Sequence, residues 1–215
     1  MSGRRRLVAV GIVVLAASAV GAWVAADRSS ASGVNLGAVV LRPSQVGDGY
    51  RSAVIPGGQK VAGQVTLDLC YYTFASEAYR TARLQLGYAK STTAPSVSNE
   101  VVAYRGGGAA TALQELRQAV KDCPSTPRKG PAVGEQQPVT WHLTPLMEPD
   151  LTTQYVAVRA YVSGLVNGKT RSATTFAIYQ FNGNIMSGVY GYGTNPAATL
   201  ALTVHAAQQS ARNLG

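Results

Sequence analysis

The stretch TQYVAVRAYVSGLVNGKTRSATTFAIYQFNGNIMSGVYGY, Thr153 to Tyr192, decides the fold class. It contains three runs rich in Val, Ile, Thr, Tyr and Phe, divided by Asn167-Gly168 and Asn182-Gly183. Asn-Gly between alternating runs is a strong hairpin signal, because a two-residue type I′ turn requires positive φ at both central positions. An antiparallel meander over Thr153–Val166, Lys169–Phe181 and Asn184–Tyr192 is therefore predicted. Two-residue turns pair Val162 with Ala173 in the first hairpin and Tyr179 with Met186 in the second. Val156, Val158, Ala160 and Val162 then share a face with Ala173, Ala177, Tyr179, Tyr190 and Tyr192, and this face is expected to lie under helices. The opposite face carries Tyr155, Arg159, Tyr161, Thr174, Phe176 and Ile178, a mixture less clearly destined for a core.

Upstream, Val65 to Tyr72 has the β-branched and aromatic content of a strand and carries Cys70. Ser76 followed by Glu77 supplies an N-cap and a first-turn acid, and Tyr79, Ala82, Leu86 and Ala89 recur at helical spacing, which predicts a helix. Ser98 to Arg105 reads as a second strand, broken by Gly106-Gly107-Gly108. Ala109, Ala112, Leu116, Ala119 and Cys123 then mark the buried stripe of another helix, which Pro124 ends. Ser125 to Pro138 is a proline-rich loop, and Val139 to Leu143 a short strand. After Asn195-Pro196, the run Ala197 to Leu214 places Leu200, Val204 and Ala207 on one side of a closing helix. The order β-α-β-α-β-β-β-β-α makes the domain α+β, with a mainly antiparallel sheet and packed helices.

Arg4, Arg5 and Arg6 precede Leu7 to Ala26, twenty residues without a charge. As a helix rising ~1.5 Å per residue this run spans roughly 30 Å, the thickness of the hydrocarbon layer. The basic cluster puts residues 1–6 in the cytoplasm and the rest outside, as a single-pass protein of the cell membrane. A cleavable signal peptide is the rival reading, with Val24-Ala25-Ala26 or Ser29-Ser30-Ala31 as small-residue cleavage sites; the protein is then secreted. No cysteine follows the apolar run, which argues against a lipoprotein anchor. The chain accordingly divides into 1–26, a signal anchor or signal peptide; 27–38, a flexible tether; and 39–215, one extracytoplasmic domain.

The chain has 215 residues, two cysteines and two histidines. Outside the membrane, Cys70 and Cys123 are most simply one disulfide, stapling helix to strand. Neither His142 nor His205 lies at ligand spacing from a cysteine, so no metal and no cofactor is expected. No G-x-S-x-G elbow surrounds any serine, and paired acids are absent, so no catalytic residue is assigned. Three of nineteen basic residues are the N-terminal arginines, leaving sixteen against ten acids. These charges are scattered rather than striped, which argues against nucleic acid and leaves acidic wall polymers or anionic lipid heads as counterparts. Two groupings are candidates for ligand binding. Tyr155, Arg159 and Tyr161 on one sheet face form a cleft wall or else a solvated face. Arg105 and Gly107, at the triple glycine before a helix, present amides and charge to an anion or else merely turn the chain. Asp68, placed by this reading inside a strand, is the odd carboxylate.

Three segments taken together resemble a known family: VTLDLCYYTFASEAYRTARLQLGYA from Val65, EVVAYRGGGAATALQELRQAVKDCP from Glu100, and VGDGYR from Val46. They are similar to the extracellular sensor domain family of PknH-type actinobacterial receptor kinases and their kinase-free membrane-anchored or secreted relatives. The resemblance covers Val46 to Pro124 well and the remainder by strand order. It implies a surface-exposed α+β domain with a disulfide and a ligand-binding cleft, without catalysis of its own. Those kinase sensors hold two disulfides where this chain can form one, and six residues before the apolar run cannot contain a kinase domain. The expected function is an extracytoplasmic sensor-like module for an envelope-derived or wall-derived small molecule, glycan or lipid. The alternative is a structural or assembly protein that docks on an envelope protein partner.

Overall fold

Alternation with a period of two builds one seven-stranded antiparallel sheet, seen in a computed structural model that describes residues 34–124, 126–127, 139–148, 150–166 and 169–215. The anchor or signal peptide at 1–26, most of the tether, the Asn167-Gly168 turn and nearly all of the Ser125–Pro138 loop lie outside the described residues. The strands are β1 (Arg51–Val54), β2 (Arg80–Ala89), β3 (Ser96–Tyr104), β4 (Val139–Pro145), β5 (Gln154–Val166), β6 (Lys169–Asn182) and β7 (Ile185–Tyr192). The helices are α1 (Leu36–Val39), α2 (Pro43–Val46), α3 (Gly108–Lys121) and α4 (Pro196–Leu214). Spatial order is β1-β2-β3-β7-β6-β5-β4, so two meanders, β1 to β3 and β4 to β7, join through the β3–β7 pair. Among the described residues no helix is long and apolar enough to cross a membrane.

Helices cover both faces. On the first face, Ala109, Ala112, Leu113 and Leu116 of α3 pack against Val102, Val156, Val158, Tyr179 and Met186. On the second, Ala206 and Ala207 of α4 close over Ala157, Ile178 and Val189, so the face read as ambiguous is core as well. Gly191 lets α4 approach: a Cβ there would lie 1.8 Å from Thr203 Oγ1. Asn195 caps α4, its side chain accepting from Ala198 N at 3.1 Å, with Pro196 in the first turn. The segment 34–46, part of which the sequence assigned to a tether, packs Leu36 and Val40 on Val101 and Ala103, and Leu41 and Val46 near Tyr88 and Val97.

Four expectations are corrected. Val65 to Tyr72 is not a strand: it is a loop ending in a 3-10 turn, Leu69–Tyr71, with Cys70 at φ 54° and Tyr71 at φ 50°. Left-handed backbone cannot continue a ladder. The helix expected from Ser76 is a 3-10 turn, Ala75–Tyr79, followed by β2. Ala82 and Leu86, four apart, satisfy helical and strand periods alike. Ala82, Leu84, Leu86 and Tyr88 alternate strictly with Arg83, Gln85 and Gly87, and pairing with β3 selects the strand. The disulfide therefore staples a turn, not a strand, to the end of α3. Finally, the second hairpin turns at Gly183-Asn184, pairing Asn182 with Ile185 and Tyr179 with Gly188 rather than Met186. The partner moves by two residues, so the face assignments survive. The first hairpin pairs Val162 with Ala173 as predicted.

Candidate functional site

On the α3 face, beyond the part that α3 covers, the sheet is left open as a cavity of about 270 Å³. Its floor is made of small side chains that alternate along β5 and β6: Ala160, Val162 and Gly164 beside Ala173, Thr175 and Ala177. Trp141 and Val139 of β4 form one wall, Tyr190 and Tyr192 of β7 another, and the turn bearing Asp68 and Leu69 a third. Strand geometry gives the trough its length: Arg171 and Ala177 are six residues apart on β6, roughly 20 Å at ~3.4 Å per residue.

The 68–71 turn is fixed from both sides. The bond between Cys70 and Cys123, with Cα atoms 5.6 Å apart, ties it to the end of α3. Leu67, Leu69 and Cys70 are buried. Tyr71 meets Trp141 edge to face, centroids 5.5 Å apart, so the turn also braces the opposite wall. Glu115 of α3 accepts from Ala75 N and Ser76 N at 2.8 and 3.1 Å, and Glu77 accepts from Thr66 N and Leu67 N at 3.0 and 3.1 Å. Glu77, read from the sequence as a first-turn acid, and Glu115 thus cap the backbone on either side of the turn.

A buried polar network lies behind it. Arg83 pairs with Glu100, both almost fully buried, and Arg83 Nη1 donates to Gly57 O at 2.9 Å. Thr66 Oγ1 donates to Glu100 Oε1 at 2.8 Å and the Tyr190 hydroxyl to Glu100 Oε2 at 3.3 Å. Arg80 pairs with Glu77 at 3.0 Å. Burial pushes the Glu100 carboxyl up, against the lowering effect of Arg83 and Thr66. Burial also holds the Tyr179 and Tyr190 phenols well above their ordinary range and lifts Tyr192 to about 12, so all three are neutral donors and ring faces. Asp68 differs: it is exposed at the trough, and among the described residues no other side chain pairs with it. Desolvation raises its carboxyl to about 6; the backbone hydrogen bond at Asp68 lowers it and the Glu77 charge raises it.

The residues singled out from the sequence fall in three places. Arg159 and Tyr161 stand exposed on the α4 face of β5, opposite the trough. There Tyr161 lies beside His142, ring centroids 6.2 Å apart, and Arg159 sits 5.9 Å from the Phe176 ring in a shallow depression with Pro196 and Leu200. Tyr155 shares their face but is half-buried against the core that contains Ala157, Ile178 and Val189. Arg105 and Gly107 lie in the turn between β3 and α3. Arg105 N donates to Tyr79 O at 2.9 Å, Gly107 takes φ 78° ahead of α3, and a Cβ on Gly108 would meet Tyr79 Cβ at 2.4 Å. His205 is exposed on α4. Sequence reasoning missed the trough because it expected helices over the whole face; the signal was the run of small residues, Ala160, Gly164, Ala173 and Ala177, which no bulky neighbour fills.

Fold and site together define a disulfide-stapled, three-layer α+β domain with an open trough on its sheet. Among solved structures, the extracellular domain of PknH from Mycobacterium tuberculosis is similar, at 12% identity and a TM-score of 0.47, over 82% of this chain and 94% of that one. It is of the type that the three sequence segments resemble. No family model matches the chain, and no curated protein does.

Proposed function

We propose that this chain is an extracytoplasmic sensor-like binding module without catalytic activity of its own, held at the membrane by residues 7–26, and that the trough is its ligand seat. The observation that supports the seat is the combination of an unfilled apolar floor with three walls pinned by a disulfide, a buried ion pair and backbone caps. Ligand sites are concave, mostly apolar and pre-formed, with few polar groups for orientation; Asp68 and Arg171 supply these here. The disulfide suits an oxidising compartment outside the cytoplasm. The ligand is an envelope-derived small molecule, glycan or lipid, in keeping with the sensor-domain resemblance of residues 46–124.

Thermal unfolding of the full chain against envelope glycan, lipid and peptide fractions tests this reading, since a ligand of the native state raises the midpoint with concentration. Saturable stabilisation is the expected result; the absence of any saturable shift, with one envelope protein captured in fixed stoichiometry, supports the second reading. In that reading the domain is an assembly protein docking through the uncovered strip of the other face, where Tyr161 is 44% and Leu165 54% exposed.

A further inference from the structure

The two ends of the trough differ in charge and in the rings around that charge, and the difference names a ligand class, on the premise that the trough is the ligand seat. At one end Asp68 lines the trough together with Tyr179, Tyr190 and Tyr192. Its charge is felt by the phenols of Tyr71, Tyr179, Tyr190 and Tyr192, and Glu77 and Glu100 lie near enough to act on it or be acted on. Among the described residues the nearby cations are engaged, Arg80 with Glu77 and Arg83 with Glu100. A carboxylate that no described side chain pairs with, set by electron-rich ring faces, attracts a cation twice over, by charge-assisted hydrogen bonding and by the ring quadrupoles. The other end holds Arg171, and both charges are exposed to water.

We infer that the trough takes an elongated amphiphile whose basic nitrogen sits beside Asp68 and whose apolar body lies along Ala160, Val162 and Ala173. The body carries no second cation, because its far end meets Arg171. An anionic amphiphile meets Arg171 without gaining from the ring faces, which repel its charge, and brings that charge toward Asp68 if reversed. Protonation of Asp68 removes the charge complement, so binding strengthens as pH rises through about 6. Among the described residues, the other ionisable groups around it are Glu77, Glu100, Tyr71, Tyr179, Tyr190, Tyr192 and, across the trough, Arg171.

The full chain carrying Trp23→Phe, so that Trp141 alone reports, is titrated with octylammonium, octanoate and neutral octanediol while its fluorescence is followed. Octylammonium is expected to bind roughly tenfold more tightly than octanoate above pH 6. That preference collapses in Asp68→Asn and below pH 6, weakens in Tyr192→Leu, and persists in Arg171→Gln. Trp141 responding equally to octanoate, or octylammonium binding unchanged in both Asp68→Asn and Tyr192→Leu, overturns the headgroup assignment while leaving the seat intact. If no amphiphile perturbs Trp141 and no envelope fraction shifts the unfolding midpoint, the seat itself falls, and the headgroup assignment with it.

Discussion

Glu100 is held by Arg83, Thr66 and Tyr190, whereas Asp68 has no side-chain partner among the described residues. The contrast yields opposite mutational outcomes. Asp68 titrates at about 6 in the fold against 3.8 ordinarily. Its folded pKa is raised, so its contribution to stability is most favourable below 3.8 and declines as pH rises through about 6. Asp68→Asn should therefore raise the unfolding midpoint at neutral pH and leave it nearly unchanged at the acid end; a lower midpoint at neutral pH contradicts the environment described. Removing Glu100 strands Arg83 among buried groups. Glu100→Ala should cost about 3–5 kcal/mol in urea unfolding, and Arg83→Met with Glu100→Leu together should recover most of that; a loss under about 1 kcal/mol counts against the network. At this scale the sequence was legible where chemistry leaves one choice, as with Cys70 and Cys123. It did not reach the hydrogen-bond partners of Glu77, Glu100 and Glu115, which lie 10 to 40 residues away.

Elements were legible where local signals agree. The hairpin strands β5 to β7, α3 and α4 stand close to where alternation, Asn-Gly turns, Pro196 and the triple glycine put them. β2 was not legible, because Ala82 and Leu86 fit two periods and only pairing with β3 chooses between them. Asn182 joins β6 instead of the turn, and its side chain donates to Leu214 O at 2.8 Å, a contact 32 residues distant that the local sequence does not announce. Two element contacts are open to test. Gly191→Ala drives a methyl group into Thr203 and should cost about 1–3 kcal/mol by overpacking, with α4 as the first region to lose hydrogen-exchange protection. Uniform loss of protection across the sheet argues against that contact. Cys70→Ser with Cys123→Ser releases the turn from α3 and should lower stability by about 2–4 kcal/mol, seen as a shift in the urea midpoint. An unchanged midpoint contradicts the staple.

The whole molecule is two meanders joined through β3 and β7 and clasped on one face by both ends of the described chain. Gln45 and Asn213 exchange hydrogen bonds of 2.8 and 3.2 Å, and Asn213 Nδ2 donates to Val39 O at 3.2 Å. Cutting the chain before Gly47 removes Leu36, Val40, Leu41 and Val46 from the core, each buried side chain contributing about 1.5–3 kcal/mol. Such a truncation should fail to give a cooperative unfolding transition; one as stable as the parent contradicts the clasp. The β3–β7 joint and the trough beside it arise from non-local pairing, which no local run of residues encodes. The central claim is that the trough, not the opposite face, is the ligand seat. Ala173→Phe fills its floor while leaving Arg159 and Tyr161 untouched. Thermal shifts of the parent and Ala173→Phe chains with the same stabilising envelope fraction test this most directly. The account predicts a folded variant that no longer responds; an undiminished saturable shift in Ala173→Phe contradicts it.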